Sequence, residues 1–193
     1  MTAVPTASVL RTIYLVRHGE AEASWGQSAD PGLSTLGHDQ ARATAEQLVP
    51  EIGGRSTEIL SSPLLRARQT AGPLAEKLSR QVRIEGRVRE IPSPVPLAER
   101  QNWLRAFMRG RWSEQGAGLL AWRAAILDAL TELSDQSVVF THFLVLNAIV
   151  GTQLRRDETL VFWPANASVT TLREKDGGGW QVTLGEQMRS RVN

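Results

Sequence analysis

The sequence predicts an α/β fold: a three-layer sandwich with a mostly parallel central sheet, helices on both faces and a C-terminal antiparallel hairpin. Three observations predict it. Ile13 to Val16, Ile59 with Leu60, and Val138 to Phe140 are short apolar runs without alternation, as expected of strands buried on both faces of a parallel sheet. Between them lie stretches whose apolar residues recur three and four apart, the spacing of a helix face turned toward a core. Near the end, segments 167–174 and 180–186 flank Asp176-Gly177-Gly178-Gly179, a glycine-rich hairpin turn.

In chain order, Ile13 to Val16 form the first strand, and Ala41, Ala45 and Leu48 give the face of the first helix. After Ile59 and Leu60, Pro63 suits the first turn of a helix in "SSPLLRARQTA", because its missing N–H is not needed there. Looser stretches at 90–96 and 109–118 bracket an excursion over 92–117. Within it, Leu97, Trp103, Leu104, Phe107 and Met108 predict an amphipathic helix that packs on the core or overhangs the site, with Arg100, Arg105, Arg109 and Arg111 elsewhere on it; one reading is a packed helix with a solvated basic face, the other a cover whose aromatic and arginine side chains favour an anionic substrate with an apolar or ring-containing part. Leu119, Trp122, Ile126, Leu130 and Leu133 then mark the strongest helix face, followed by the strand at 138–140 and the hairpin.

With 193 residues the chain suits a single domain, 1–193, carrying that excursion. At 41% hydrophobic and 22% charged residues it has no apolar run long enough to span a bilayer. Its first residues lack a basic leader and are broken by Pro5, Thr6 and Ser8, so the cytoplasm is the expected location. The absence of cysteine excludes disulfides, thiol nucleophiles and thiolate metal sites, and three histidines leave little for a histidine-rich one. No metal or other cofactor is expected. A net charge of +2 with dispersed arginines argues against nucleic acid as a partner.

Open α/β sheets bind ligands beyond the carboxyl ends of their strands, and polar residues collect at those ends here. Arg17 and His18 follow the first run; Ser61, Ser62 and, one helical turn on, Arg66 follow the second; Thr141 and His142 follow the third. Guanidinium forks and a helix N-terminus match the oxygens of a phosphoryl group, and a neutral imidazole can attack phosphorus. The expected chemistry is phosphoryl transfer. His38 is read as an exposed or capping residue, Gly19 as a residue that frees a turn, and Glu20 as one that orients Arg17 or caps a nearby segment.

"LVRHGEAE", "LSTLGHDQA", "SSPLLRARQTA" and "VVFTHFLVLNAIVG" together resemble the successive signatures of the histidine phosphatase superfamily, the phosphoglycerate mutase-like fold. The resemblance implies that His18 is the phosphorylated nucleophile, that Arg17, Arg66 and His142 hold the phosphoryl oxygens, and that a carboxylate protonates the leaving group. Glu90 is the candidate acid, with Glu85 and Glu99 as alternatives. Two positions depart from the family pattern: Phe143 stands where glycine is common, implying a narrower or drier pocket edge, and Asn147 stands where arginine is frequent, implying one fewer positive charge on the substrate side. The expected activity is metal-independent hydrolysis of a small cytoplasmic phosphorylated metabolite through a phosphohistidine. The alternatives are mutase-type phosphoryl transfer, dephosphorylation of protein phosphohistidine, and a phosphate-binding module without turnover.

Overall fold

The computed structural model describes residues 10–23, 28 and 30–188. Its strands are β1 (Thr12–Arg17), β2 (Ile59–Ser61), β3 (Val82–Ile84), β4 (Ser137–Thr141), β5 (Val169–Glu174) and β6 (Trp180–Thr183), joined in one sheet in the order β3-β2-β4-β1-β5-β6. The first four run parallel, while β5 and β6 add an antiparallel edge. The predicted sandwich and terminal hairpin are therefore present.

The period-two geometry of β1 divides the core. Ile13 and Leu15 join Leu60, Val139 and Leu172 on one face, whereas Tyr14 and Val16 join Ile59, Val138 and Phe140 on the other. The second face is covered by α1 (Thr35–Ile52) through Ala45 and Leu48, and by α2 (Leu65–Leu78) through Ala71 and Leu74. In chain order α3 (Arg100–Phe107), α4 (Ala117–Thr131) and α5 (Phe143–Gln153) follow, and all three contribute to the first face. None of the helices among the described residues is long and apolar enough to cross a membrane.

Local chemistry sets the helix starts nearest the site. Ser34 caps α1 by accepting the Gly37 N–H at 3.0 Å, so His38 lies in the first turn and is not the cap. Helix α2 starts at Leu65, two residues later than Pro63 suggests. The intervening backbone donors are taken by side chains: Ser62 Oγ accepts from Leu64 N at 3.3 Å, and Asp30 Oδ1 from Leu65 N at 2.9 Å. Gly19 serves a close approach rather than a special turn. A Cβ on it would lie 2.6 Å from the Gly37 carbonyl oxygen, and one on Gly37 would lie 2.1 Å from that of Glu20, so the two glycines let α1 abut the loop after β1. Glu20 supports the same junction by accepting from Ser34 Oγ at 2.8 Å.

Segment 92–117 contains α3 between two short 3₁₀ turns, Leu97–Glu99 and Trp112–Glu114. It is fastened to the body by buried Leu104, Phe107 and Trp112, with Trp112 edge-on to Phe107 at 5.6 Å and stacked on Trp122 of α4 at 6.2 Å.

Candidate active site

The parallel register gathers the predicted residues. Arg17 pairs with Thr141 across β1 and β4, and Ser61 with Phe140 across β2 and β4, so the residues just beyond these strands converge at the carboxyl ends of neighbouring strands. Two backbone bonds lock the junction: His18 N–H donates to Thr141 O at 2.9 Å and Ser62 N–H to Phe140 O at 2.9 Å. The rings of His18 and His142 consequently face each other, with centroids 5.2 Å apart.

The hydrogen bonds define the tautomer of His18. Nδ1 lies 2.7 Å from the Gly19 carbonyl, which can only accept, while Arg66 Nε, which can only donate, lies 3.1 Å from Nε2. Hydrogen is therefore on Nδ1 and a lone pair on Nε2. Burial lowers the His18 pKa well below the usual range, and the charges of Arg17 and Arg66 push it the same way. The ring is neutral at neutral pH, the form that a histidine nucleophile requires.

His142 is fully buried, and its pKa is likewise driven far down by burial, then by His18 and the arginines. Its Nε2 lies 2.7 Å from Ser62 Oγ. That oxygen also accepts from Leu64 N; with its hydroxyl hydrogen donated to Nε2, the hydrogen of His142 sits on Nδ1. That Nδ1 is buried without a partner, as is Arg17 Nε. Two donors thus stand ready for an acceptor that the protein itself does not supply. The sequence places Ser62 at this strand end, but its pairing with His142 follows from the loop between β2 and α2.

Arg17 is held rigidly. Its guanidinium donates to Pro164 O at 2.8 Å and lies 5.1 Å over the ring of Phe143, which is 2% exposed and packs against Trp163 at 5.4 Å. Phe143 is thus a support beneath Arg17. Burial lowers the Arg17 pKa to about 10, still fully charged at neutral pH. Asn147, which leaves this position uncharged, is buried inside α5 and accepts the backbone N–H groups of Val161 and Phe162 at 2.8 and 3.0 Å, bracing the loop before β5.

Of the three candidate carboxylates, Glu90 is buried, and its charge couples to Arg66, Arg100 and Arg17. Desolvation raises its pKa above the usual carboxylate range, outweighing a bond from Ile91 N and the three arginines. The segment before it is anchored twice, by Thr141 Oγ1 to Val88 O at 2.7 Å and by Trp122 Nε1 to Arg89 O at 3.1 Å. Glu85 points elsewhere, chelated by Arg87 with bonds of 2.9 and 2.8 Å that hold its pKa at about 2. Glu99 is exposed. Arg100 is half-buried, so the excursion's basic face is not solvated throughout, and its charge acts on Glu90, Arg66 and His142.

Comparison with known proteins gives the same family as the residues do. The family model of the histidine phosphatase superfamily (branch 1) matches residues 13–187. The protein named "Probable phosphoglycerate mutase GpmB" of Escherichia fergusonii is 31% identical over 165 residues, 74% of each chain, and its namesake in Photorhabdus laumondii is 28% identical over the same span. Among solved structures, the phosphoserine phosphatase of Entamoeba histolytica, in complex with 3-phosphoglyceric acid, superposes with a TM-score of 0.72 at 23% identity, covering 93% of this chain and 98% of that one. A mycobacterial glucosyl-3-phosphoglycerate phosphatase gives 0.68 at 24%, covering 93% and 100%. With the paired histidines at adjoining strand ends and a family match over nearly its whole length, the chain belongs to the histidine phosphatase superfamily.

Proposed function

We propose that the protein is a phosphomonoester hydrolase that works through a phosphohistidine on His18, acts on a small phosphorylated metabolite in the cytoplasm, and needs no metal ion. The observation that carries this reading is the set of unmet buried groups, Arg17 Nε and His142 Nδ1, on residues that adjoin a neutral His18 whose Nε2 carries a lone pair and whose ring lies 5.2 Å from that of His142. As a phosphoryl group enters, Arg66 Nε exchanges its bond to His18 for one to a phosphoryl oxygen, which frees the nucleophile. His18 Nε2 then forms the N–P bond, the P–O ester bond breaks, and the leaving oxygen takes the proton of Glu90. In the second half, water attacks phosphorus, Glu90 accepts a proton from it, and the P–N bond breaks to return neutral His18. Guanidinium groups and His142 carry the charge stabilisation for which other phosphoryl-transfer enzymes use a cation.

The second reading, mutase-type transfer, is favoured by the names of the curated relatives. Hydrolysis is preferred because the excursion beside the site adds only the short α3 and two 3₁₀ turns, little with which to exclude water from a phosphohistidine. A phosphate-release assay on a panel of phosphomonoesters, using chelator-treated protein, separates the readings. Release of inorganic phosphate without added metal is expected. Isomerisation of 3- to 2-phosphoglycerate exceeding hydrolysis would establish the mutase reading, and activity that returns only with added metal would refute the metal-free site.

Arg66→Lys tests the clamp. Lysine keeps the charge but loses the planar fork that reaches both His18 and a phosphoryl oxygen. The expected loss in kcat/KM corresponds to about 2–4 kcal/mol of transition-state stabilisation, as for other preorganised donors, and it falls mainly on kcat. Near-parental kinetics would reduce Arg66 to a structural residue.

A further inference from the structure

The stretch "SSPLLRARQTA" carries, one helical turn beyond Arg66, a second buried polar residue, Thr70, which is 1% exposed. Its hydroxyl donates to Arg66 O at 2.6 Å and accepts the Gly19 N–H at 3.0 Å. A threonine inside a helix commonly turns its hydroxyl back on the carbonyl four residues earlier. The bond from Gly19 goes further, because it ties α2 to the residue that follows the nucleophile.

These two bonds close a ring with the two that hold the imidazole. Arg66 Nε donates to His18 Nε2 at 3.1 Å, His18 Nδ1 to Gly19 O at 2.7 Å, Gly19 N to Thr70 Oγ1, and Thr70 Oγ1 to Arg66 O. All four run in the same sense, so the ring fits His18 with its hydrogen on Nδ1. When a phosphoryl group draws Arg66 Nε away, the imidazole is left with the bond from Nδ1 to Gly19 O. The backbone of His18 is fixed independently, by its N–H to Thr141 O at 2.9 Å and by the Ala167 N–H to its carbonyl at 3.2 Å. The direction of the ring then depends on where Gly19 presents its carbonyl. The peptide that carries this carbonyl is held through the Glu20 N–H by Gln40 Oε1 at 2.8 Å, but Gln40 belongs to α1. Thr70 joins the same turn to α2, the helix that carries Arg66. Resting on the phosphohistidine reading above, we propose that Thr70 is a positioning residue: its hydroxyl holds Gly19 O against His18 Nδ1, and so keeps Nε2 aimed at phosphorus and in register with Arg66 while Arg66 binds the phosphoryl oxygens.

The test compares Thr70→Val, which keeps the volume and loses the hydroxyl, with Thr70→Ser, which keeps the hydroxyl. In single turnovers with p-nitrophenyl phosphate, Thr70→Val is expected to slow phosphorylation of His18 by about 10- to 100-fold, the scale of a small misplacement of reacting groups, with the half-saturating concentration within about 3-fold of the parental one. Thr70→Ser should recover the rate to within about 3-fold. A single-turnover rate constant does not depend on how much of a variant folds. The tautomer of His18 gives a readout that needs no turnover: ¹⁵N spectra of histidine-labelled protein, in which the His18 signals are those lost in His18→Ala. In Arg66→Ala the Gly19 carbonyl should still keep the hydrogen on Nδ1, whereas in Arg66→Ala combined with Thr70→Val the two tautomers should mix. An unslowed Thr70→Val, a Thr70→Ser as slow as Thr70→Val, or an unchanged tautomer in the double variant would each overturn the proposal and leave Thr70 a residue of helix packing. Parental hydrolysis by Thr70→Val would remove this inference and leave the hydrolase reading standing; tautomer mixing in a protein that hydrolyses no phosphomonoester would uphold the inference and refute that reading.

Discussion

Replacing His18 with alanine is expected to abolish turnover, with a loss on the order of 10⁵- to 10⁶-fold by analogy with other covalent nucleophiles. The size follows from the route. Without Nε2 the phosphoryl group has no protein acceptor, and water would have to attack it directly, without the covalent intermediate that divides the reaction into two steps. The same variant should lose a chemical signature: rapid quenching of the parental protein with a labelled phosphomonoester should trap phosphate that is acid-labile and base-stable, as a phosphoramidate is, and the label should map to His18. His142→Ala should retain some label, because His142 is placed to donate from Nδ1 and its Nε2 is engaged by Ser62. Label on His142, or undiminished turnover in His18→Ala, would show that the two rings have been assigned the wrong way round.

The elements that position this site were those most legible in the sequence, for a physical reason. β1, β2 and β4 are central, so both their faces are buried and they read as unbroken apolar runs. Once they are parallel neighbours, Arg17, His18, Ser62 and His142 must meet. β3 escaped because it is a three-residue edge strand with exposed Arg83 and Ile84. α5 shows no periodicity because Phe143 to Gly151 are all buried, and a helix buried all round has no polar face to mark it. Arg100 could not be assigned from its helix, since packing of Leu104, Phe107 and Trp112 decides which way α3 is turned. The bracing role of Asn147 could not be read from α5 alone, as its partners at Val161 and Phe162 lie beyond the end of that helix. Choosing among Glu85, Glu90 and Glu99 likewise depended on the path of the chain, which hands Glu85 to Arg87 and leaves Glu99 in solvent.

Glu90→Gln is expected to have an effect that depends on the leaving group. In a loose phosphoryl-transfer transition state the departing oxygen carries much of the negative charge, so an alkoxide needs a proton far more than a p-nitrophenolate does. The glutamine variant should lose roughly 100- to 10,000-fold in the phosphorylation step with an alkyl phosphate and far less with p-nitrophenyl phosphate. Single-turnover measurements are required, because the same carboxylate, once deprotonated, is placed to activate water in the second step. The pH profile supplies an independent readout. Burial raises the Glu90 pKa above the usual carboxylate range, so the acid form needed for phosphorylation persists to higher pH than in a free carboxylate. Phosphorylation should then decline as pH rises through that raised pKa, and Glu90→Gln should lack this alkaline limb. Glu85→Gln should keep both the limb and the leaving-group pattern, since Arg87 holds Glu85 ionised down to about pH 2. Equal losses with both substrates, together with an unchanged alkaline limb, would make Glu90 a residue that positions Arg66 and Arg17 electrostatically, and the leaving group would then have to take its proton from solvent.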